Sequence, residues 1–182
     1  MNRRRLLIII LVAFFSVSSI LCGKVIAYMF QQTQYEENLF TIAEVSCEVK
    51  EEFDGVNKTS IQIQNTGNID AYLRVRLVSY WGDANGNIGA KPSSMPEVKM
   101  AVDYWVPGSN NTYYYRMPVE PGNFTQELLA APIILAKDGD YLQVVEVFAE
   151  AIQSAPSGAV TSAVTSAWSV TLDADGYIAT AP

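Results

Sequence analysis

The chain has 182 residues, 49% of them apolar, a formal charge of −7 and no histidine. That length suits one domain with a short appendage, and that apolar content excludes a disordered chain. The missing histidine excludes Ser-His-Asp and Cys-His relays and the usual zinc ligand set, and from Tyr28 onward eight basic residues stand against nineteen acidic ones, a balance of −11 that repels nucleic acid and anionic lipid.

Arg3, Arg4 and Arg5 precede sixteen uncharged residues, Leu6 to Leu21, and a short stretch ending Val25-Ile26-Ala27-Tyr28. A basic start, an apolar core and a small residue at a cleavage point describe a secretory signal peptide. Val25 and Ala27 take the −3 and −1 positions, and cleavage falls between Ala27 and Tyr28. The competing reading keeps residues 6–30 as a membrane anchor with Lys24 snorkelling, since a spanning helix needs roughly 20 apolar residues. Either way the remainder lies outside the cytoplasm, because the arginines stay inside. Cys22 sits in the apolar run as a small hydrophobe, and Leu21 before it is too large for a lipidation site. Removal of the leader leaves Cys47 alone, so no intramolecular disulfide is expected.

Residues 28–43 are polar, rich in Gln and Glu and without a period, and read as a linker or N-terminal arm. From Glu44 an alternation begins, with Val45, Cys47 and Val49 on one side. Asp54-Gly55 supplies a hairpin turn, and Lys58 to Gln64 returns with Ile61 and Ile63 inward. Asn65-Thr66-Gly67-Asn68 is the next turn. After it comes the longest period-2 segment of the chain, with Ala71, Leu73, Val75, Leu77 and Trp81 on one side and Tyr72, Arg74, Arg76 and Tyr80 on the other. Ser79 and Val78 break the pattern. This segment is the expected middle of the fold.

Further strands are expected at Ile88 to Lys91, Val98 to Val106, Thr112 to Met117, Phe124 to Leu129 and Ile133 to Leu135. Tyr141 to Ile152 is the second long strand, and its apolar residues on both faces suit a strand covered on both sides. Val160, Val164 and Trp168 then switch to a helical spacing, with Ser157 as the cap and Trp168 laid on the sheets. A hairpin through Asp173-Ala174-Asp175-Gly176 ends the chain. The sum is an all-β fold over residues 44–182, an antiparallel jelly-roll or Ig-like β-sandwich with one short C-terminal helix, preceded by the apolar N-terminal helix of residues 1–27.

An apolar leader ending in Ala27-Tyr28, then Asn65-Thr-Gly-Asn-Ile-Asp-Ala-Tyr-Leu-Arg-Val-Arg76, Trp81-Gly-Asp-Ala-Asn-Gly-Asn87, Tyr113-Tyr-Tyr115, Pro118-Val-Glu-Pro-Gly122 and Ala149-Glu-Ala-Ile-Gln153 form a recognisable series. It resembles the cell-surface proteins of Gram-positive bacteria that carry SipW-type signal peptides, the TasA- and camelysin-like group. The resemblance covers nearly the whole chain and rests on turn and strand patterns. It implies a jelly-roll-like sandwich, export by a dedicated signal peptidase and, in TasA-like members, assembly into extracellular biofilm matrix fibres. Lys24 departs from the pattern just before the cleavage point. The proteolytic activity described for the camelysin branch is not expected here, since the chain has no His-Glu-x-x-His.

Candidate chemistry is sparse. Asp83-Ala-Asn85-Gly-Asn87 has glycine in the wrong place for an EF-hand loop and reads as a turn, as do Asp173 and Asp175. Asp138, Asp140, Glu146 and Glu150 are acids without a defined pair. No enzyme activity, metal or cofactor is expected. The expected function is that of a secreted surface or matrix subunit that self-associates, or joins related surface proteins, by strand addition. The arm residues Phe30, Tyr35, Leu39 and Phe40 carry that step. The alternative is a membrane-anchored extracellular binding domain acting as a monomer. Tyr72, Arg74, Arg76 and Tyr80 form a possible contact face.

Overall fold

The computed structural model describes residues 3–4, 42–154 and 162–182. The chain divides into two units, Met1–Thr41 and Ile42–Pro182. The expected leader, the cleavage point at Ala27 and Tyr28, the arm residues and the Ser157 cap lie outside the described residues.

The second unit is an antiparallel β-sandwich. Strands β1 (Cys47–Phe53), β2 (Asn57–Asn65) and β6 (Ile133–Ile134) form a sheet in the order β1-β2-β6. A five-stranded sheet has the order β4-β5-β3-β8-β7, from β3 (Ala71–Gly82), β4 (Trp105–Pro107), β5 (Thr112–Tyr115), β7 (Lys137–Asp138) and β8 (Tyr141–Gln153). The expected central strand is indeed central. It pairs with β8 over its full length, Ala71 opposite Gln153 through Gly82 opposite Leu142, and with β5 on its other side.

The two sheets meet through alternate side chains. Ile61, Ile63 and Ile133 of the first sheet pack against Leu73, Val75, Leu77, Trp105, Tyr115 and Val145 of the second. Ile61, Ile63, Leu73, Val75, Trp105 and Ile133 are wholly buried. Each aliphatic side chain so buried contributes about 1.5–3 kcal/mol. The Trp105 ring meets Tyr115 edge-on at 5.1 Å, and its Nε1 donates to the Gln126 and Glu127 carbonyls.

A second, smaller core lies on the opposite face of the five-stranded sheet. Helix α1 (Ser162–Trp168) and the hairpin β9 (Thr171–Leu172) and β10 (Ile178–Thr180) cover it. Val164 and Trp168, four apart on one helical face, pack with Val170 and Ile178 onto Tyr72, Val106 and Tyr114. Ser169 ends the helix in a left-handed conformation, φ 54°.

Several expected strands are shorter or irregular. The alternation from Glu44 becomes a strand only at Cys47, because Glu44 and Ser46 bond to the turn at residues 66–68 instead of to a ladder. Ile88 makes a single bridge to Gly82, and Met100 one to Leu129. Residues 123–128 follow β2, but side chains take ladder positions there. The Ile63 amide donates to Thr125 Oγ1 and the Ile61 amide to Glu127 Oε2. A side-chain acceptor satisfies the amide without holding the partner backbone in register. The double covering expected of β8 holds only at its end. Ile152 packs on the second core, whereas Phe148 is half exposed.

Candidate functional site

The turn that feeds β3 is built around Asn65, which is fully buried. Its Nδ2 donates to the Ile69 carbonyl at 2.8 Å and the Val119 carbonyl at 2.7 Å, and its Oδ1 accepts from the Gly67 amide at 3.0 Å. Asn68 ties down the domain's first residues, accepting from the Glu44 amide and donating to the Ile42 carbonyl. A Cβ on Gly67 would stand 2.3 Å from the Glu44 carbonyl oxygen, closer than any side chain tolerates. The asparagines and glycine of this motif are therefore structural.

Ser79, the polar mismatch in β3, has a partner that the sequence does not display. Buried Gln143 of β8 donates from Nε2 to Ser79 Oγ at 3.2 Å, Ser93 Oγ at 3.0 Å and the Ser94 carbonyl at 2.7 Å. Its Oε1 accepts from the Ala136 amide. One amide thus anchors the loop after β3 and the approach to β7.

The residues expected as a contact face fare differently. Tyr72 is buried under the C-terminal hairpin, and its hydroxyl donates to the Gly176 carbonyl at 2.6 Å. Burial pushes its phenol pKa up. The alternation placed Tyr72 on the polar side because α1 and the hairpin that cover it come some ninety residues later. Arg74 is committed as well. Its Nη2 and Nε donate to Glu150 Oε2 at 2.7 and 3.2 Å, its Nη1 reaches the Tyr114 hydroxyl, and its guanidinium lies 4.7 Å from the Trp168 ring centre. Arg76 is exposed and Tyr80 partly so. The face therefore reduces to Arg76, Tyr80 and the exposed Phe148, which stands opposite Arg76 on β8.

Among the described residues, one side of the sandwich is open. β1 ends its sheet, and β7 pairs with β8 only at Tyr141 and Leu142. The Gln143 amide donates to the Ala136 carbonyl, away from β3. Backbone groups of alternate residues point the same way in an antiparallel strand. Those of Val145, Val147, Ala149 and Ala151 therefore point outward too, and no strand pairs with them among the described residues. On β1 the same reasoning applies. The Asn65 amide donates to the Asn123 carbonyl, so its partner Cys47 points away from β2, as do Val49 and Glu51.

The two open edges lie beside each other, and Glu150 of β8 is close enough to Cys47 to act on it. Burial first, and that carboxylate second, push the Cys47 thiol pKa up. Between the edges, at the β8 start, runs a cleft of 260 Å³ lined by Glu51, Phe53, Lys58, Leu135, Leu142 and Val144. Lys58 is buried and its Nζ pairs with Glu51 Oε2 at 2.5 Å, while Phe53 is half exposed at the mouth. Neither proline nor a bulge interrupts β8.

The acidic turns are self-contained. Asp83 Oδ1 accepts from the amides of Asn85 and Asn87, and Oδ2 from the Asn87 side chain. The Asn87 side-chain bond and the backbone bonds hold the Asp83 carboxyl below the usual aspartate range. Asp173 caps its own turn in the same manner, accepting from the amides of Asp175 and Tyr177. Among the described residues no group of three acids or cysteines is arranged to hold a metal ion. Asp138 pairs with Lys91 and Glu150 with Arg74. Glu146 and Glu150 share one face of β8 about 13 Å apart along the strand, wider than a glycosidase pair, which spans at most about 9.5 Å.

The chain matches no protein-family model, no curated protein and no solved structure.

Proposed function

We propose that the protein is an exported, non-enzymatic subunit of a cell-surface or extracellular matrix structure, and that copies join by strand addition. The arm of one copy, carrying Phe30, Tyr35, Leu39 and Phe40, pairs with the open edge of β8 in the next. The observation behind this reading is the run of outward backbone groups at Val145, Val147, Ala149 and Ala151, with the β1 edge alongside. Unpaired edges are templates for another strand.

Reach and chemistry support the same pairing. Residues 28–43 extended cover about 50 Å, and β8 with thirteen residues is about 43 Å long. The apolar residues of the arm suit the Phe53, Leu135, Leu142 and Val144 cleft. An arm that leaves its own body to enter another makes a head-to-tail contact, and such contacts grow filaments unless they close into a ring. The leader and the resemblance to SipW-type surface proteins favour a place outside the cell.

The test is deletion of Tyr28 to Phe40 from the exported protein, followed by sedimentation and negative-stain imaging. The reading expects filaments or oligomers from the intact exported form and monomers from the deletion. Equal assembly by both forms overturns it.

A further inference from the structure

Arg74 and Arg76 have the same place in the β3 alternation, yet only Arg74 is engaged. Arg76 is exposed, and among the described residues its guanidinium has no hydrogen-bond or ion-pair partner. It lines a concavity of 220 Å³ together with Ser109, Asn110 and Thr112, whose side-chain polar atoms also make no hydrogen bond among the described residues. The wall of this groove is set by the β4–β5 turn. Asn110 and Asn111 both hold left-handed backbones, φ 53° and 56°. Two successive left-handed residues are the ordinary geometry of a tight hairpin turn, which asparagine tolerates, and the Thr112 amide closes it by donating to the Ser109 carbonyl at 3.1 Å. The Leu77 amide donates to the Asn111 carbonyl at 3.0 Å, which holds the turn against β3 beside Arg76. On the other side of Arg76 stands its cross-strand partner Phe148, 49% exposed.

We infer that this groove binds a hydroxylated carboxylate of the uronic-acid class. The Arg76 fork matches a carboxylate in a bidentate pair. The Asn110 amide and the Ser109 and Thr112 hydroxyls offer donors and acceptors for hydroxyl groups. Phe148, beside Arg76 and outside the concavity, offers a flat apolar surface to a ring that extends past Arg76. A single negative charge is favoured over a phosphate dianion, because one arginine is free and the Glu150 carboxylate lines the opposite wall. The surface as a whole is acidic, so recognition depends on these short-range contacts and not on a broad positive field. The groove lies on the outer face of the sheet, where β8 contributes side chains and not its open backbone groups, and does not depend on the assembly reading.

The test is saturation-transfer NMR on the full chain in mild detergent, with sodium glucuronate as the probe. Neutral methyl glucuronate ester, glucose and inorganic phosphate serve as comparisons. Glucuronate is expected to bind, with the ester and phosphate weaker. Arg76→Gln is expected to weaken glucuronate about tenfold, the effect of losing one charge-assisted pair. Asn110→Ala and Phe148→Ser are expected to weaken it less, with the melting temperature of Arg76→Gln unchanged because the side chain is exposed. No glucuronate binding overturns the assignment. So does binding that Arg76→Gln leaves intact, or phosphate binding as tightly as glucuronate.

Discussion

Replacing Asn65 tests the view that the motif leading into β3 is architectural. In Asn65→Ala three hydrogen bonds vanish. The Val119 carbonyl keeps the Ala71 amide as a donor, and the Gly67 amide keeps the Ser46 carbonyl as an acceptor. The Ile69 carbonyl has no second donor among the described residues. One orphaned acceptor costs about 1–3 kcal/mol, and the two other lost bonds about 1 kcal/mol each, so the variant should lose about 3–5 kcal/mol. Asn65→Asp keeps the shape but aims a carboxylate at two carbonyl oxygens in a buried site, and at neutral pH it should lose at least as much. Its pH dependence has a defined sign. Repulsion and burial raise the folded-state pKa above the unfolded value of about 3.9. The folded state then holds its proton where the unfolded state has lost it. The defect should be smallest at pH 4 and grow as pH rises toward the folded pKa. Urea unfolding followed by tryptophan fluorescence, at pH 4.5 and pH 7 against the unchanged protein, measures both effects. A loss under 1 kcal/mol for either variant at pH 7, or a defect in Asn65→Asp that does not change with pH, refutes the reasoning.

Other variants probe other parts of the fold. Gln143→Leu removes the acceptor of the Ala136 amide and the donor to two serines and the Ser94 carbonyl. It should cost about 2–4 kcal/mol and expose the loop after β3 to faster hydrogen exchange. Trp168→Ala empties the second core and strips the ring from Arg74, and a loss of about 3–5 kcal/mol is expected by urea unfolding. Asn87→Ala should raise the NMR titration midpoint of the Asp83 carboxylate toward the ordinary aspartate value, because the Asn87 side-chain bond is the first cause of its depression. An unchanged midpoint would remove that explanation.

The long elements were legible because burial imposes a period of two on them. Ile61, Ile63, Leu73, Val75 and Leu77 alternate cleanly, and all are buried. Of the short strands, β5 and β6 fall inside the expected segments Thr112 to Met117 and Ile133 to Leu135, whereas the expected Val98 to Val106 yields only β4 at its end, where the Trp105 indole bonds to the Gln126 and Glu127 carbonyls. Ser79 looked like an error in the pattern until Gln143 supplied its partner. Arg74 and Arg76 could not be told apart, since what separates them is Trp168 and Glu150 on remote elements. The open edge was beyond reach for the same reason. The sequence reads Tyr141 to Ile152 as apolar on both faces, but whether a strand lies beside it is decided by where β1 and β7 run.

The strand-addition account stands or falls on that edge. The direct measurement is residue-resolved amide exchange on the protein lacking Tyr28 to Phe40, with and without a synthetic peptide of residues 28–41. The account predicts that the peptide slows exchange at Val145, Val147, Ala149 and Ala151, whose amides point away from β3, and leaves the even-numbered β8 amides as they were. Unchanged exchange along β8, or protection confined to another surface, contradicts it.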